Sequence, residues 1–210
     1  MNFYNPVAFR VEQTEELLSF IEKNPLATLI TSVNGDTLVS HLPMVSRREE
    51  GQILLTSHFS KSNPHLEACH RVEQVYLVFH GVSTEITPIL YGEVGVPTWN
   101  YEVVHAKGRL RFLEGEKFEA ALEDMTRHFE DKRGSSFSSY STDPYVLSMK
   151  RGIEVFEVVV TEIEGKFKLS QNRPLEDRVA VAKFLEKSED AQDRLTAIEM
   201  VRVNKIENLS

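Results

Sequence analysis

Between residues 26 and 60 of this chain, short aliphatic and β-branched runs are separated by tight-turn residues, a spacing that restricts the segment to hairpins. LATLITSV (26–33) is followed by Asn34-Gly35, a pair that tolerates the positive φ angles of a two-residue turn, and TLVSHLPMV (37–45) returns. Arg47 to Gly51 reads as a charged tip, and QILLTSHF (52–59) as a third strand. Further on, QVYLVFHG (74–81) and TEIT (84–87) read as strands around a bend, and TWNYEVVHAKGRLRF (98–112) as one long strand or two joined near Gly108. IEVFEVVVTEIEGKFKLS (153–170) is apolar on both alternating faces, the pattern of a strand covered on each side. Six or more strands in hairpin order predict an antiparallel barrel with helical additions rather than a doubly wound parallel sheet.

Helices punctuate this β framework. One starts at Thr14, with Glu15 and Glu16 in its first turn, and Asn24-Pro25 stops it. Asn63-Pro64 opens a short helix through His70. In EGEKFEAALEDMTRHFEDKRG (114–134), Phe118, Leu122, Met125 and Phe129 fall at helical spacing and Gly134 follows as a C-cap. The serine-rich SSFSSYSTDP (135–144) reads as a flexible connection. LEDRVAVAKFLEK (175–187) and AQDRLTAIEMVRV (191–203) read as two short helices. The expected organisation is a β-barrel domain with inserted helices over 1–174 and a helical extension over 175–210 packed on that domain.

The 210 residues are 41% hydrophobic and 27% charged, ordinary values for a folded domain. Cys69 is the only cysteine, which excludes an intramolecular disulfide framework and a cysteine-rich zinc site. No basic stretch precedes an apolar core at the N-terminus, and no run of about 18 apolar residues occurs, so a cytoplasmic protein with no membrane insertion is expected. With a formal net charge of -8, direct nucleic-acid binding is not expected, because that affinity comes largely from cations neutralising phosphates.

Three polar stretches carry candidate chemistry. TSHFSKSNP (56–64) gathers hydroxyls, an amide and a lysine between a strand end and a helix start, a setting that suits an anion and also an ordinary helix cap. GKFKLSQNRP (165–174) is dense in hydrogen-bond donors; Lys166 and Lys168 share one strand face, either as a ligand contact or as a solvated strand end. In VPTWNYEVVHAKGRL (96–110), Trp99 and Tyr101 share a face that would stack on a planar ligand or pack in the core, and His105 continues that face. His58, His65 and His70 lack the spacing that sets ligands on one helix, so no metal site is expected. No G-x-S-x-G elbow, glycine-rich dinucleotide fingerprint or phosphate-binding Walker loop is present.

Taken in order, PLATLIT, SHLPM, SHFSKSNP, VPTWNYEVVHAKGRL and EGKFKLSQNRPLEDR resemble the PaiB-type FMN-binding negative transcriptional regulators over about residues 1 to 185. The resemblance implies a mainly β fold with α additions: an antiparallel split β-barrel, like that of pyridoxamine-phosphate oxidases, with C-terminal helices. It also implies FMN as cofactor or sensed ligand and a homodimer with FMN in clefts between subunits. Carried over by position, Thr56, Ser57, Ser60, Lys61 and Asn63 line the phosphate end. Trp99, Asn100 and Tyr101 approach from the neighbouring subunit or cleft wall, and Lys168, Ser170, Gln171 and Arg173 complete the pocket. The chain departs from the family at TPILYG (87–92), where Ile89 and Leu90 stand in place of Ser-Trp and remove a stacking wall, while Tyr91 is kept. A flavin-dependent oxidoreductase, or an interaction protein that has lost flavin, are the alternatives; no residue stands out as an acid, base or nucleophile, and no basic recognition helix supports direct DNA reading.

Overall fold

The computed structural model describes residues 3–92 and 95–207. In chain order its elements are β1 (Arg10–Val11), α1 (Thr14–Lys23), β2 (Leu26–Val33), β3 (Asp36–Pro43), β4 (Val45–Glu49), β5 (Gln52–Ser60) and α2 (His65–Cys69). There follow β6 (Gln74–Ile86), β7 (Thr98–Phe112), α3 (Gly115–Glu130), α4 (Pro144–Arg151), β8 (Ile153–Lys168), α5 (Leu175–Glu186) and α6 (Ala191–Asn204). The strands form one sheet in the order β3-β2-β6-β7-β8-β5-β4, with β1 paired to β8. β2/β3, β2/β6, β4/β5, β5/β8 and β1/β8 all pair antiparallel. The order begins at β3 and ends at β4, so the sheet is open rather than closed.

The first hairpin forms as its turn residues require: Asn34 and Gly35 take φ of 54° and 92°, and Val33 pairs with Asp36. The second turn, Glu50-Gly51, also has both φ positive, at 49° and 81°. It converts the expected charged tip into β4, whose residues pair from Val45 with Thr56 to Glu49 with Gln52. The expected bend near Gly81 is absent, and β6 runs through it; β7 likewise runs unbroken through Gly108. Both glycines serve close approach instead of bending. A Cβ at Gly81 would lie 2.6 Å from the Phe20 ring, and one at Gly108 would lie 2.4 Å from the Val159 carbonyl oxygen. α4 lies within and beyond the end of the serine-rich connection; Asp143 caps it by accepting from the Tyr145 amide at 2.8 Å, with Pro144 at its first position.

The chain divides into two compact units. One comprises residues 1–20, 80–104 and 164–210; the other comprises residues 21–79 and 105–163. In the first, α5 buries Val181, Ala182 and Leu185, α6 buries Ala197 and Met200, and Phe167 meets Phe20 at 5.1 Å between ring centroids. In the second, Leu113, Ala121, Leu122, Met125 and Val155 form a core joined by Val45, Phe118 and Ile153. Phe59 stacks on Phe156 at 5.0 Å. No helix of the described residues is long and apolar enough to cross a membrane.

Because backbone, unlike a flexible side chain, faces Gly108, Gly108→Ala is expected to destabilise the protein by about 1 to 3 kcal/mol. Urea unfolding checks this: a lower midpoint with an unchanged slope agrees, and an unchanged midpoint contradicts it.

Candidate functional site

The expected cofactor-binding residues fall into two groups, each within one unit. In the second unit, strand alternation sends Thr56 and Ser57 to opposite faces of β5. Thr56 Oγ1 accepts from Arg47 Nη1 at 3.4 Å. Ser57 is fully buried, and its hydroxyl has no hydrogen-bond partner among the described residues. Ser60 and Ser62 join hydroxyls at 2.7 Å, which shapes the turn that carries Lys61. The Lys61 amide is tied to the Gly152 carbonyl at 2.8 Å, while its ammonium makes no ion pair among the described residues.

Asn63 closes this turn. Its carboxamide oxygen accepts from the His65 amide at 3.0 Å, and its nitrogen donates to Ser40 Oγ at 3.1 Å. His65 is buried between two hydroxyls, with Nδ1 2.9 Å from Ser40 Oγ and Nε2 2.8 Å from Thr31 Oγ1. Burial pushes its pKa below the ordinary 6.5. α2 is shorter than expected, ending at Cys69, so its dipole contributes little and an anion here relies on side chains. Ser40 and Thr31 were invisible in the sequence because they lie on other strands; the only local signal was His65 following Asn63-Pro64.

In the first unit, β7 places Asn100 against the turn after β8. Asn100 Nδ2 donates to Ser170 Oγ at 3.0 Å and meets Met200 Sδ at 3.4 Å. Ser170 has a φ of 66°, and the Arg173 amide closes its turn on the Ser170 carbonyl at 2.9 Å. Gln171 folds inward, its Oε1 accepting from the Leu169 amide at 2.6 Å and its Nε2 donating to the Phe167 carbonyl. These three side chains hold the turn together. The groups facing outward are Lys168, Arg173 and Trp99, which is 55% exposed.

Lys168 donates to Thr98 Oγ1 at 2.6 Å and to the Trp99 carbonyl. Burial first, then the charges of Lys166 and Arg173, push its pKa below the ordinary 10.5. Arg173 lies over the Tyr91 ring at 4.1 Å, a contact the sequence did not reveal; Glu93 and Val94 of the same loop lie outside the described residues. Tyr91, Thr98, Asn100, Lys168 and Arg173 surround a cavity of about 100 Å³. That volume accepts a small charged or planar edge rather than a whole ligand. Lys166, expected to share a face with Lys168, is buried: it donates to the Tyr4 carbonyl at 3.1 Å and sits over the rings of Tyr4 and Tyr101 at 4.9 and 5.3 Å.

These arrangements fit FMN in two respects. Ser57, a buried donor without a partner, stands on β5, Lys61, an ammonium without a counter-charge, stands on the turn that follows it, and two mutually repelling cations, Lys168 and Arg173, line a small cavity. Among the described residues, no group of three or more His, Cys, Asp or Glu is placed to hold a metal ion.

Residues 3–162 match the family model described as "Putative FMN-binding domain". The chain is 30% identical over 188 residues to the Bacillus subtilis "Protease synthase and sporulation protein PAI 2", covering 89% of this chain and 91% of that protein. Among solved structures, the FAD and heme binding protein from Mycobacterium smegmatis superposes with a TM-score of 0.60 at 14% identity, covering 76% of this chain and 73% of that one. The flavocytochrome Anf3 from Azotobacter vinelandii also gives 0.60 at 14% identity, covering 89% and 74%. These structural likenesses establish the fold as the split β-barrel.

The buried histidine generates a pH prediction. The unfolded chain takes up a proton at His65 near pH 6.5, whereas the folded chain does so only at lower pH, so stability falls as pH drops through 6.5. His65→Gln is expected to flatten that acid limb in urea titrations at several pH values; an unchanged slope contradicts the assignment.

Proposed function

The chain belongs to the PaiB-type FMN-binding family, and on that premise we propose that it is a homodimeric flavoprotein that holds FMN in a cleft between subunits and acts as a regulator through a partner. FMN is its cofactor. When bound, the flavin supplies redox chemistry, and the protein anchors, orients and electrically tunes it. The regulatory part of the reading rests on likeness to PAI 2, whose name assigns that protein to protease synthesis and sporulation. A partner, rather than DNA, fits the net charge of -8.

The observation that carries the flavin site is the placement of Lys168 and Arg173 on the lining of one small cavity, where the charge of Lys168, disfavoured first by burial and then by Lys166 and Arg173, is relieved by a negative ligand. Lys168 and Arg173 present this charge to the electron-rich edge of the flavin ring, while exposed Trp99 and half-buried Tyr101 offer ring faces. Asn100, Ser170 and Gln171 fix the turn that aims Lys168 and Arg173. Lys61 takes the phosphate, with Thr56, Ser57, Ser60 and Asn63 shaping and supplementing its turn.

Flavin fluorescence titrations separate these roles. Lys61→Ala is expected to weaken FMN by roughly tenfold or more while leaving riboflavin nearly unchanged, because a charge-assisted contact contributes on the order of 1.5 to 3 kcal/mol. Lys168→Ala is expected to weaken both flavins alike. The reverse pattern would exchange the two assignments, and equal losses for both flavins in Lys61→Ala would remove the phosphate role.

A pH series gives a second check. A negative ligand favours the charged ammonium, so FMN affinity is expected to fall as pH rises through the lowered Lys168 pKa, with proton uptake on binding in that window. Lys168→Gln should abolish this component, and its persistence would contradict the role of Lys168. Light scattering at twice the chain mass agrees with the shared cleft; a monomer that still binds FMN tightly rules it out.

A further inference from the structure

The second unit contains another cavity, of about 510 Å³, bounded by β4, the segment from the end of β7 into α3, and β8. Its framework sets three guanidiniums, Arg47, Arg48 and Arg111, against the carboxylates of Glu49 and Glu157. Glu157 is 1% exposed, and one of its carboxylate oxygens faces Arg47 while the other accepts from Arg111 Nε at 2.9 Å and Nη2 at 2.7 Å. Arg47 also reaches Glu49 at 3.3 Å. The buried carboxylate thus pins two guanidiniums in place and cancels much of their charge.

The α3 wall differs. Lys117 and Asp124 both line the cavity, and neither side chain makes a hydrogen bond or ion pair among the described residues. Seven residues of helix separate them by about 10 Å and return them to nearly the same face. Between them lie Ala120 and Ala121, whose small side chains leave the space open, and Leu113 adds an apolar surface. The strip therefore offers a cation, an aliphatic floor and an anion in sequence. A simple anion would meet the repulsion of Asp124, and a simple cation would meet Lys117 and the arginines. A molecule carrying both charges on a short aliphatic chain pairs with both ends at once.

We propose that this cavity binds a small zwitterion of the amino-carboxylic acid class, with its carboxylate at Lys117, its ammonium at Asp124 and its methylenes over Ala120 and Ala121. Both charged residues are exposed, so each contact is weak and dissociation constants in about the millimolar range are expected. Neither residue belongs to the flavin groups, so the proposal stands or falls independently of FMN binding.

The experiment follows backbone amide shifts of α3 in isotope-labelled full-length protein titrated with ε-aminocaproate, and with n-caproate and n-hexylamine as single-charge controls. The expected result is saturable binding of ε-aminocaproate, roughly two- to fivefold tighter than either control. Lys117→Gln should reduce ε-aminocaproate to the level of hexylamine, and Asp124→Asn should reduce it to the level of caproate. Unchanged melting temperatures and FMN titrations would show that both variants remain folded. Three outcomes overturn the proposal: caproate binding as tightly as ε-aminocaproate, no saturable shift in α3 up to about 50 mM ligand, or a preference for the zwitterion that survives both substitutions.

Discussion

A strand covered on both faces tolerates a charge only where a partner is built in, and β8 carries two such charges, Glu157 and Lys166. In one unit Glu157 is answered by Arg47 and Arg111, which come from β4 and β7. In the other, Lys166 is answered by the Tyr4 carbonyl and by aromatic rings. A buried charge left without a partner is costly, so these contacts constrain which segments can lie against β8. The requirement also explains why Arg47 sits in a strand: its counter-charge is buried on β8.

The same logic applied two residues beyond Lys166 gives a different result. Lys168 has a hydroxyl and a carbonyl to donate to, but its nearest charged neighbours, Lys166 and Arg173, are both positive. Burial first, and then these two charges, disfavour the charged form of this lysine on the lining of a small cavity. Ser57 is a parallel case in the other unit, a buried hydroxyl whose partner is not supplied by the described chain. Such unanswered groups are where a cofactor contributes most, because its binding recovers a desolvation cost already present in the fold. Membership of an FMN-binding family supplies the chemical identity of the cofactor.

Much of the framework was legible because it rests on local chemistry. Asn34-Gly35 set the first hairpin, Phe118, Leu122 and Met125 placed the inner face of α3, and both C-terminal helices lie close to the segments expected for them. What failed to show was decided by distant packing. The bend expected near Gly81 is absent, and Gly108, where the pattern left one strand or two open, lies within a single strand; each glycine accommodates a neighbour from elsewhere in the chain. α4 buries none of its residues, so hydrophobic periodicity gave no signal, although Asp143-Pro144 carried the cap. At the candidate site, GKFKLSQNRP was visible as a polar cluster, but its division into inward residues (Lys166, Gln171) and outward ones (Lys168, Arg173) was not. Alternation placed Lys166 and Lys168 together, and only the N-terminal segment packed over Lys166 separates their roles.

The central claim of the proposal is that Lys61 holds FMN by its phosphate, and phosphorus NMR of the bound cofactor tests it most directly. A phosphate clamped by Lys61 should remain dianionic, so the bound resonance should titrate well below the free value of about 6. A bound-FMN resonance that titrates as it does in free solution would mean that the phosphate projects into solvent and that the anchoring described for Lys61 is wrong.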